Sequence, residues 1–497
     1  MAAGFSIAHV QAGQKSRSGV KSAVQKSRFG ALYLKHRGQS SKQEGGTMRR
    51  KITEKMLEWK RSGNGKTALL IDGARRVGKS YSVEAFAREN YRSYLLIDFN
   101  ETGNEITSLF EHNLSDLDSL FMYLSAFYGT ALYERESLII FDEVQMCPRA
   151  RAAIKYLVAD GRYDYIETGS LMSIRKNVKD IVIPSEERHI RMYPMDFEEF
   201  LWSQNEELLW NVIRDSYEKR RPLGQALHRK AMTLFRQYLI VGGMPQAVKE
   251  YSLTRSFEAV DLVKRDILTL YRADIGKYAE GYTNKAARIF DEIPSQLSKH
   301  EKRFSLTSLG KGSRYRDYES AFFWLQDSMI TNICFNATEP GIGLKLNKDH
   351  SAFKMYMADT GLLISHAFDE NGIVTEEIYK RLLFGKLEVN EGMIFENAAA
   401  QMLTANGHAL YFYANASKTD VSSRMKIDFL IAKSKATDRH HISPIEVKSG
   451  KNYTLTSLRK FRDKFAEQLH TMYVLHVDDL KEQDGIVYLP VYMTGLL

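Results

Sequence analysis

A short segment rich in glycine and positive charge carries the clearest chemistry in the sequence. Its residues follow the pattern G-x-x-x-x-G-K-S. Glycines let such a loop curl so that its backbone N–H groups point at phosphate oxygens, and a following helix adds partial positive charge. Lys79 would then reach the β- and γ-phosphates of ATP, and Ser80 would bind Mg²⁺. The residues expected to contact the nucleotide are Gly73, Ala74, Arg75, Arg76, Val77, Gly78, Lys79 and Ser80.

The residues around this loop supply the context that the pattern requires. Lys66–Asp72 is a short apolar run that is typical of a buried parallel strand. A helical pattern begins after Ser80. The alternative is a glycine-rich turn with a solvated lysine. The order of strand, loop and helix favours the phosphate-binding interpretation.

An acidic pair follows a second strand-like run. Ser137–Phe141 is apolar and ends at Asp142 and Glu143. In open α/β sheets, ligands bind at the carboxyl ends of the strands. We therefore expect Asp142 to hold Mg²⁺ and Glu143 to polarise the attacking water. The alternative is that one of these carboxylates caps the next turn.

Further runs complete a predicted sheet. Tyr163–Glu167 is strand-like and precedes Thr168 and Ser170, whose hydroxyls would sense the γ-phosphate; an ordinary cap at the start of a helix is the alternative. Ser93–Phe99 and Arg188–Tyr193 are also strand-like. Helical patterns separate the runs, which predicts a parallel sheet.

These segments together resemble the prokaryotic AAA+ ATPases that carry a C-terminal domain of unknown function. The resemblance extends over nearly all of residues 50–497, and it implies that ATP is bound and hydrolysed with Mg²⁺. Relatives in this family often form rings, which implies a homo-oligomer. The segments that carry the resemblance are GARRVGKS, LIIFDEVQ, ETGS, MYPMDFEEFL, LIVGGMPQAV and MADTGLL. Such enzymes also place an arginine near the γ-phosphate, and the sequence does not choose among Arg175, Arg188 and Arg191.

The C-terminal part holds a second candidate site. Asp428 opens an apolar strand-like run, and Glu446 and Lys448 alternate along another, so they point to the same face. Glu396 lies on a helical run. This set resembles the PD-(D/E)xK nuclease fold, although Ile427 replaces the usual proline. The resemblance implies a catalytic group of Glu396, Asp428, Glu446 and Lys448.

In that interpretation, Asp428 and Glu446 would hold Mg²⁺ against a scissile phosphate, and Lys448 would orient water or neutralise charge. The alternative is a retained fold that binds without cleavage. Four further lysines are candidates for phosphate contacts: Lys418, Lys426, Lys451 and Lys460.

The sequence predicts an α/β protein of several parts. After a disordered basic tail (1–47) come a P-loop AAA+ core with a parallel sheet (48–205), a helical lid (206–280), a winged-helix-like module (281–384) and a PD-(D/E)xK-like α/β domain (385–497). Basic residues lie between the helices of the third part, where they would contact DNA or form a solvated face. They are Lys299, Lys302, Arg303, Lys311, Arg314 and Arg316.

Composition sets limits on these interpretations. The chain has 497 residues and a net charge of +9, but residues 1–47 contain eight basic side chains and one acid, so the tail carries +7 of it. The tail is interpreted as a transit peptide, a nucleic-acid-binding arm or residues upstream of a true start at Met48. Two cysteines indicate a reducing compartment, hence the cytoplasm, and no apolar run approaches the ~18 residues of a membrane helix.

Three functions remain open on the sequence alone. The first is an ATPase that acts on nucleic acid, DNA first, through a C-terminal nuclease. The second is an ATP-driven switch whose C-terminal domain binds nucleic acid or protein without cutting. The third is a nucleotide-dependent scaffold.

Overall fold

The computed structural model describes residues 48–497, apart from residues 113, 170–184, 280, 300, 342, 369–375, 385, 387–390, 416–419, 421–422 and 433–441. Residues Arg49–Leu497 form one compact unit. Within the described residues, no helix is long and apolar enough to cross a bilayer. The tail 1–47 and the candidate side chains of Ser170, Arg175 and Lys418 lie outside them.

The first sheet is parallel, as predicted, and its described strands lie in the order β2-β3-β4-β1-β5. Because β4 lies between β1 and β3 and all three are parallel, the carboxyl end of β4 lies beside both the glycine-rich loop after β1 and the acids at the end of β3. The strands are β1 (Ala68–Gly73), β2 (Ser93–Asp98), β3 (Ser137–Asp142), β4 (Asp164–Gly169) and β5 (Glu187–Met192).

Helices cover both faces of this sheet, because the strands are apolar on both sides. Along β1, Ala68 and Leu70 pack in one hydrophobic cluster with the third to fifth helices, and Leu69 and Ile71 pack in another with the first two. The result is a three-layer α/β/α domain. The helices are α1 (Ile52–Gly63), α2 (Lys79–Asn90), α3 (Asn104–His112), α4 (Leu117–Tyr128) and α5 (Pro148–Asp160).

The middle of the chain is helical. Asp196 and Glu199 form a capping box at the start of α6, and Pro245 opens α9 directly after the Gly242-Gly243 break. The helices are α6 (Phe197–Ser203), α7 (Glu207–Glu218), α8 (Gln225–Val241), α9 (Pro245–Thr254), α10 (Phe257–Tyr278), α11 (Thr283–Ser298) and α12 (Tyr315–Asp327).

A second, mixed sheet has the strand order β12-β13-β11-β10-β9-β8-β6-β7 among the described residues. Its strands are β6 (Thr331–Ala337), β7 (Lys348–Met357), β8 (Tyr411–Asn415), β9 (Met425–Ala432), β10 (Ile442–Val447), β11 (Met472–His476), β12 (Lys481–Gln483) and β13 (Ile486–Pro490). The helices of this region are α13 (Thr360–Ala367), α14 (Glu376–Leu383), α15 (Glu391–Ala405) and α16 (Thr456–Phe465).

This sheet runs across the predicted boundary between residues 384 and 385. The hairpin of β6 and β7, which lies in the segment that was expected to form a winged-helix-like module, joins the C-terminal strands through parallel pairing of Phe335 with Tyr411. The hairpin and the C-terminal strands therefore share one sheet. Local sequence patterns carry no information about this long-range pairing.

Candidate functional site

The glycine-rich loop encloses the side chain of Lys79. Gly78 lies in the left-handed region at φ 94°, which suits glycine, and α2 starts at the next residue. The Lys79 ammonium donates to the carbonyl oxygens of Gly73 at 2.9 Å and Ala74 at 3.2 Å. Burial lowers the pKa of Lys79, although Glu143 and Asp142 act in the opposite direction. The loop thus holds the buried Lys79 ammonium at its centre, where a ligand bound in the loop would contact it.

Hydroxyl groups converge on Asp142 at the end of β3. The Ser80 hydroxyl donates to Asp142 Oδ1 at 2.9 Å, and the Thr168 hydroxyl donates to the same oxygen from β4. A carboxylate and a serine hydroxyl are oxygen ligands of the kind that Mg²⁺ takes. These residues therefore fit the metal that the sequence predicts beside the loop.

Glu143 has a strained backbone and a buried neighbour. Its φ of 51° is unusual for a residue other than glycine, asparagine or aspartate. The amide of Gln145 donates to Glu143 Oε2, from a short 3-10 turn that begins at Val144. The carboxylate is thus held at the edge of the site by its own loop.

Residues from outside the β-α-β unit support the loop from behind. Arg50 donates to the carbonyl oxygen of Val77 at 2.9 Å and to Glu199 at 3.0 Å. A Cβ placed on Gly78 would lie 3.4 Å from the ring of Pro245. Nothing in the sequence points to Arg50, because the segment before α1 looks like ordinary surface.

Two predicted loop arginines differ in their contacts. Arg75 forms an ion pair with Asp274 of α10 at 2.6 Å, and Arg76 is exposed with a φ of 68°. Of the candidates for an arginine at the γ-phosphate, Arg188 donates to Ser62, and Arg191 lies 3.9 Å from Asp72. Neither of these contacts selects an arginine for that role.

Two segments far apart in the sequence meet behind the loop. The backbone N–H of Gly243 donates to Asp359 Oδ2 at 2.5 Å, and the N–H of Met195 donates to the Gly243 carbonyl at 2.7 Å. A Cβ on Gly361 would lie 2.6 Å from the backbone of Gly242, so this close approach requires glycine. The segments LIVGGMPQAV and MADTGLL thus form one buried junction with Met195.

The junction continues to the C-terminal helix α15. Asp359 caps α13 by accepting from Leu362 N at 2.8 Å, and Thr360 N donates to Gln401 at 2.8 Å. Asn397 accepts from Met357 N at 2.9 Å. Side chains of α15 therefore fix the corner between β7 and α13, which in turn holds Gly243.

The C-terminal acids lie on neighbouring elements, as the sequence predicts. Ile445 pairs with Phe429, so Asp428 and Glu446 are the next residues along two adjacent antiparallel strands. Asp428 Oδ2 accepts from Val447 N at 3.0 Å. Lys448 pairs with Glu446 Oε2 at 2.6 Å, and in the described part of the chain the buried Oε1 has no hydrogen-bond partner.

Lysines that the sequence analysis did not assign to this site surround Glu396. The ammonium of Lys354 on β7 lies 2.8 Å from Glu396 Oε1 and 3.7 Å from Asp428 Oδ1. Lys302 bonds Glu396 Oε2 at 2.5 Å, and the Tyr356 hydroxyl donates to Oε1 at 2.5 Å. Both carboxylate oxygens of Glu396 are therefore engaged. Lys302, which was expected on a DNA-binding or solvated face, instead points into this site.

Charge pairing sets the protonation of these acids. Burial alone would raise the pKa of Glu396, but Lys302 and Lys354 hold it well below its usual range. Burial raises the pKa of Glu446, which Lys448 only partly offsets. Glu396 is thus an ionised acid bound to lysines, whereas the pKa of Glu446 lies above its usual value because the carboxyl is buried.

The predicted Mg²⁺ fits the C-terminal site poorly. In the ranges that the structure describes, no three His, Cys, Asp or Glu side chains are placed to hold a metal ion. The unpartnered oxygen of Glu446 would suit a ligand, but Glu396 is taken by two ammonium groups. The observed arrangement is a set of carboxylates that is already balanced by lysines.

Family models match three stretches of the chain. Residues 65–201 match an AAA domain. Residues 232–371 match a domain of unknown function (DUF8612), and residues 391–493 match another (DUF4143). The chain therefore contains a P-loop AAA domain, in agreement with the prediction for its first part. None of the curated proteins searched matches the chain.

Several solved structures show a weak similarity. The Aeropyrum pernix ORC1 protein in complex with DNA is 10% identical, with a TM-score of 0.25 over 65% of this chain and 92% of its own. The ADP form of ORC2 from the same organism is 14% identical, with a TM-score of 0.24 over 71% and 98%. Scores this low do not establish a shared arrangement of the chains.

Proposed function

We propose that this chain binds ATP with Mg²⁺ at the glycine-rich loop and hydrolyses it. The observation that carries the proposal is the convergence of the Lys79 ammonium, the Ser80 hydroxyl and the Asp142 carboxylate on one end of a parallel sheet. Ser80 and Asp142 would hold Mg²⁺, which would neutralise the charge that develops on the phosphates. ATP, Mg²⁺ and a cytoplasmic location remain predictions.

Each residue of the loop would have a separate task. The buried Lys79 ammonium would exchange its carbonyl partners for phosphate oxygens, which are stronger acceptors because they are charged. The backbone of Gly73–Ser80 would orient the phosphates. Glu143 would accept a hydrogen bond from the attacking water and take its proton, since it follows Asp142 directly and its carboxylate, like that of Asp142, interacts with the Lys79 ammonium.

The proposed hydrolysis would act on the C-terminal domain through the junction behind the loop. Pro245 packs near Gly78, Gly243 bonds Asp359, and β7 supplies Lys354 and Tyr356 to Glu396. Only a few backbone residues thus separate the nucleotide loop from the second site. This continuity supports a nucleotide-dependent switch.

For the C-terminal domain, binding without cleavage is the function that the lysines around Glu396 favour. Metal-dependent cleavage at Asp428, Glu446 and Lys448 is the second candidate, supported by the adjacency of the two acids and the unpartnered oxygen of Glu446. A nucleic-acid ligand, DNA first, and assembly into a homo-oligomer are further proposals that rest on the sequence.

The decisive experiment measures ATP binding and turnover in matched variants. Lys79→Ala should lose tight binding, because the phosphate charge goes uncompensated. Lys66→Ala is the control, since Lys66 is exposed at the other end of β1. Glu143→Gln should bind ATP but hydrolyse it on the order of 10²-fold more slowly. Equal affinity in the Lys79→Ala and Lys66→Ala chains would overturn the assignment of the loop.

The two candidate functions of the C-terminal domain are separated by a cleavage assay. Linear and circular, single- and double-stranded DNA and RNA are incubated with Mg²⁺, with and without ATP. Cleavage by the parent chain that Asp428→Ala abolishes would establish a nuclease. Binding of a substrate without any cleavage would establish the first candidate.

A further inference from the structure

The C-terminal site holds a positive charge where a nuclease of the resembled fold would hold a metal. The Lys354 ammonium lies between two of the predicted acids, 2.8 Å from Glu396 Oε1 and 3.7 Å from Asp428 Oδ1. Its side chain is 1% exposed. A buried lysine has no water to reach, so its charge must be met by these carboxylates.

The strand that carries Lys354 fixes this position. Along β7, Lys354 and Tyr356 alternate with Phe353 and Met355, so the first two share a face. That face lies against α15, because Lys354 and Tyr356 both bond Glu396. Asn397, the next residue of α15, bonds both the N–H and the carbonyl of Met357 and so holds the strand in place. The ammonium is therefore placed by main-chain pairing and by α15.

The surroundings of Lys354 leave little space for a second cation. Lys302 occupies the other oxygen of Glu396 at 2.5 Å. Lys426 lies 3.9 Å from Asp428 Oδ1, and Lys448 lies 2.6 Å from Glu446. Three carboxylates thus face four ammonium groups, and a divalent ion would meet net positive charge.

We propose that the Lys354 ammonium is the resident cation of the C-terminal site and takes the place of a divalent metal between Glu396 and Asp428. The domain then presents its exposed lysines to an anionic ligand without metal. The inference concerns this site alone and does not depend on ATP hydrolysis at the loop.

The test measures binding of Mn²⁺ to the nucleotide-free full chain by electron paramagnetic resonance. The parent chain should bind no Mn²⁺ that Asp428→Asn removes. Lys354→Met removes the charge and leaves an apolar side chain beside Phe412 and Phe429, whose ring centroids lie 5.1 and 5.7 Å from the ammonium. Lys354→Met should bind Mn²⁺ at least about tenfold more tightly than the parent chain does. The double variant Lys354→Met/Asp428→Asn should lose this increase in affinity.

Lys426→Met is the matched control. It changes the net charge equally and also lies near Asp428, but it is partly exposed and, among the described residues, Glu396 forms its ion pairs with Lys302 and Lys354 instead. It should tighten Mn²⁺ binding much less than Lys354→Met does, because water screens an exposed charge. A parent chain that binds Mn²⁺ through Asp428 would overturn the proposal even if Lys354→Met fails to fold. So would a folded Lys354→Met chain that binds none.

Discussion

At the scale of single residues, the position of one carboxylate depends on its neighbour. Gln145 is buried and donates to Glu143, whose backbone is held in the left-handed region. Gln145→Ala should lower ATP turnover by roughly tenfold, because the proton acceptor loses its orientation, while nucleotide affinity changes little. Steady-state hydrolysis and equilibrium nucleotide binding measure the two effects. A loss of affinity equal to the loss of turnover would contradict a positioning role.

The buried ring of His476 makes the stability of the folded chain depend on pH. His476 is buried; its Nε2–H donates to the Asp479 carbonyl oxygen, and its Nδ1 therefore accepts from the Tyr453 hydroxyl when the ring is neutral. Burial lowers the pKa of His476 to about 4. Because the folded pKa lies below the unfolded value, the unfolded chain binds more protons between about pH 6.5 and 4, and stability falls as pH falls through that range.

The size of this effect follows from linkage. Between pH 7 and pH 5, the parent should lose about 2 kcal/mol of unfolding free energy relative to His476→Gln. Urea denaturation at the two pH values measures it. His112→Gln, at an exposed site on α3, is the control and should show no such difference. A parallel pH dependence in the parent and in His476→Gln would refute the role of this ring.

At the scale of elements, the junction of α8, α9 and α13 depends on glycine. A Cβ on Gly243 would overlap the Met195 carbonyl, whereas a Cβ on Gly276, in α10, meets no atom within 4 Å. Gly243→Ala should therefore destabilise the chain by about 3 kcal/mol. Gly276→Ala should stabilise it by up to about 1 kcal/mol, since alanine favours helix. Thermal unfolding of both variants compares the two sites, and a stable Gly243→Ala chain would show that the junction relaxes.

The sequence predicted elements better than it predicted their partners. The strands around the loop were found because buried parallel strands are apolar runs. Asp428 and Glu446 were found through the resemblance to the PD-(D/E)xK fold, and strand alternation placed Glu446 and Lys448 on one face. Lys354 was missed, although a lysine inside the apolar run Ala352–Met357 was a usable signal of a buried charge. Lys302 gave no signal, because its partner Glu396 is 94 positions away and only the tertiary fold brings them together.

Across the chain as a whole, Asp359 lies between the two proposed sites, because it binds Gly243 and caps the helix that follows β7. Cys334 on β6 pairs with Lys354 and is fully buried, so its reaction with a thiol reagent reports opening of the C-terminal site. In a Cys147→Ala background, nucleotide should change this rate severalfold, and Asp359→Ala should abolish the change. Asp479→Ala is the control, because Asp479 binds backbone N–H groups at the start of α8 instead.

The outcome separates two kinds of failure. A chain that binds no nucleotide contradicts the proposed function of the loop. A chain that binds nucleotide normally, and whose Asp359→Ala variant still transmits the effect to Cys334, contradicts the junction alone.

The sheet that crosses residue 384 limits how this protein can be divided or recombined. A fragment that begins at residue 385 would lack β6 and β7, so the edge of β8 would lose its strand partner and Glu396 would lose Lys354. An open edge of this kind pairs readily with other chains. A gene fusion that transfers the C-terminal domain to another protein must therefore begin before Thr331, and exchange of the segment after residue 384 alone would produce an aggregating product.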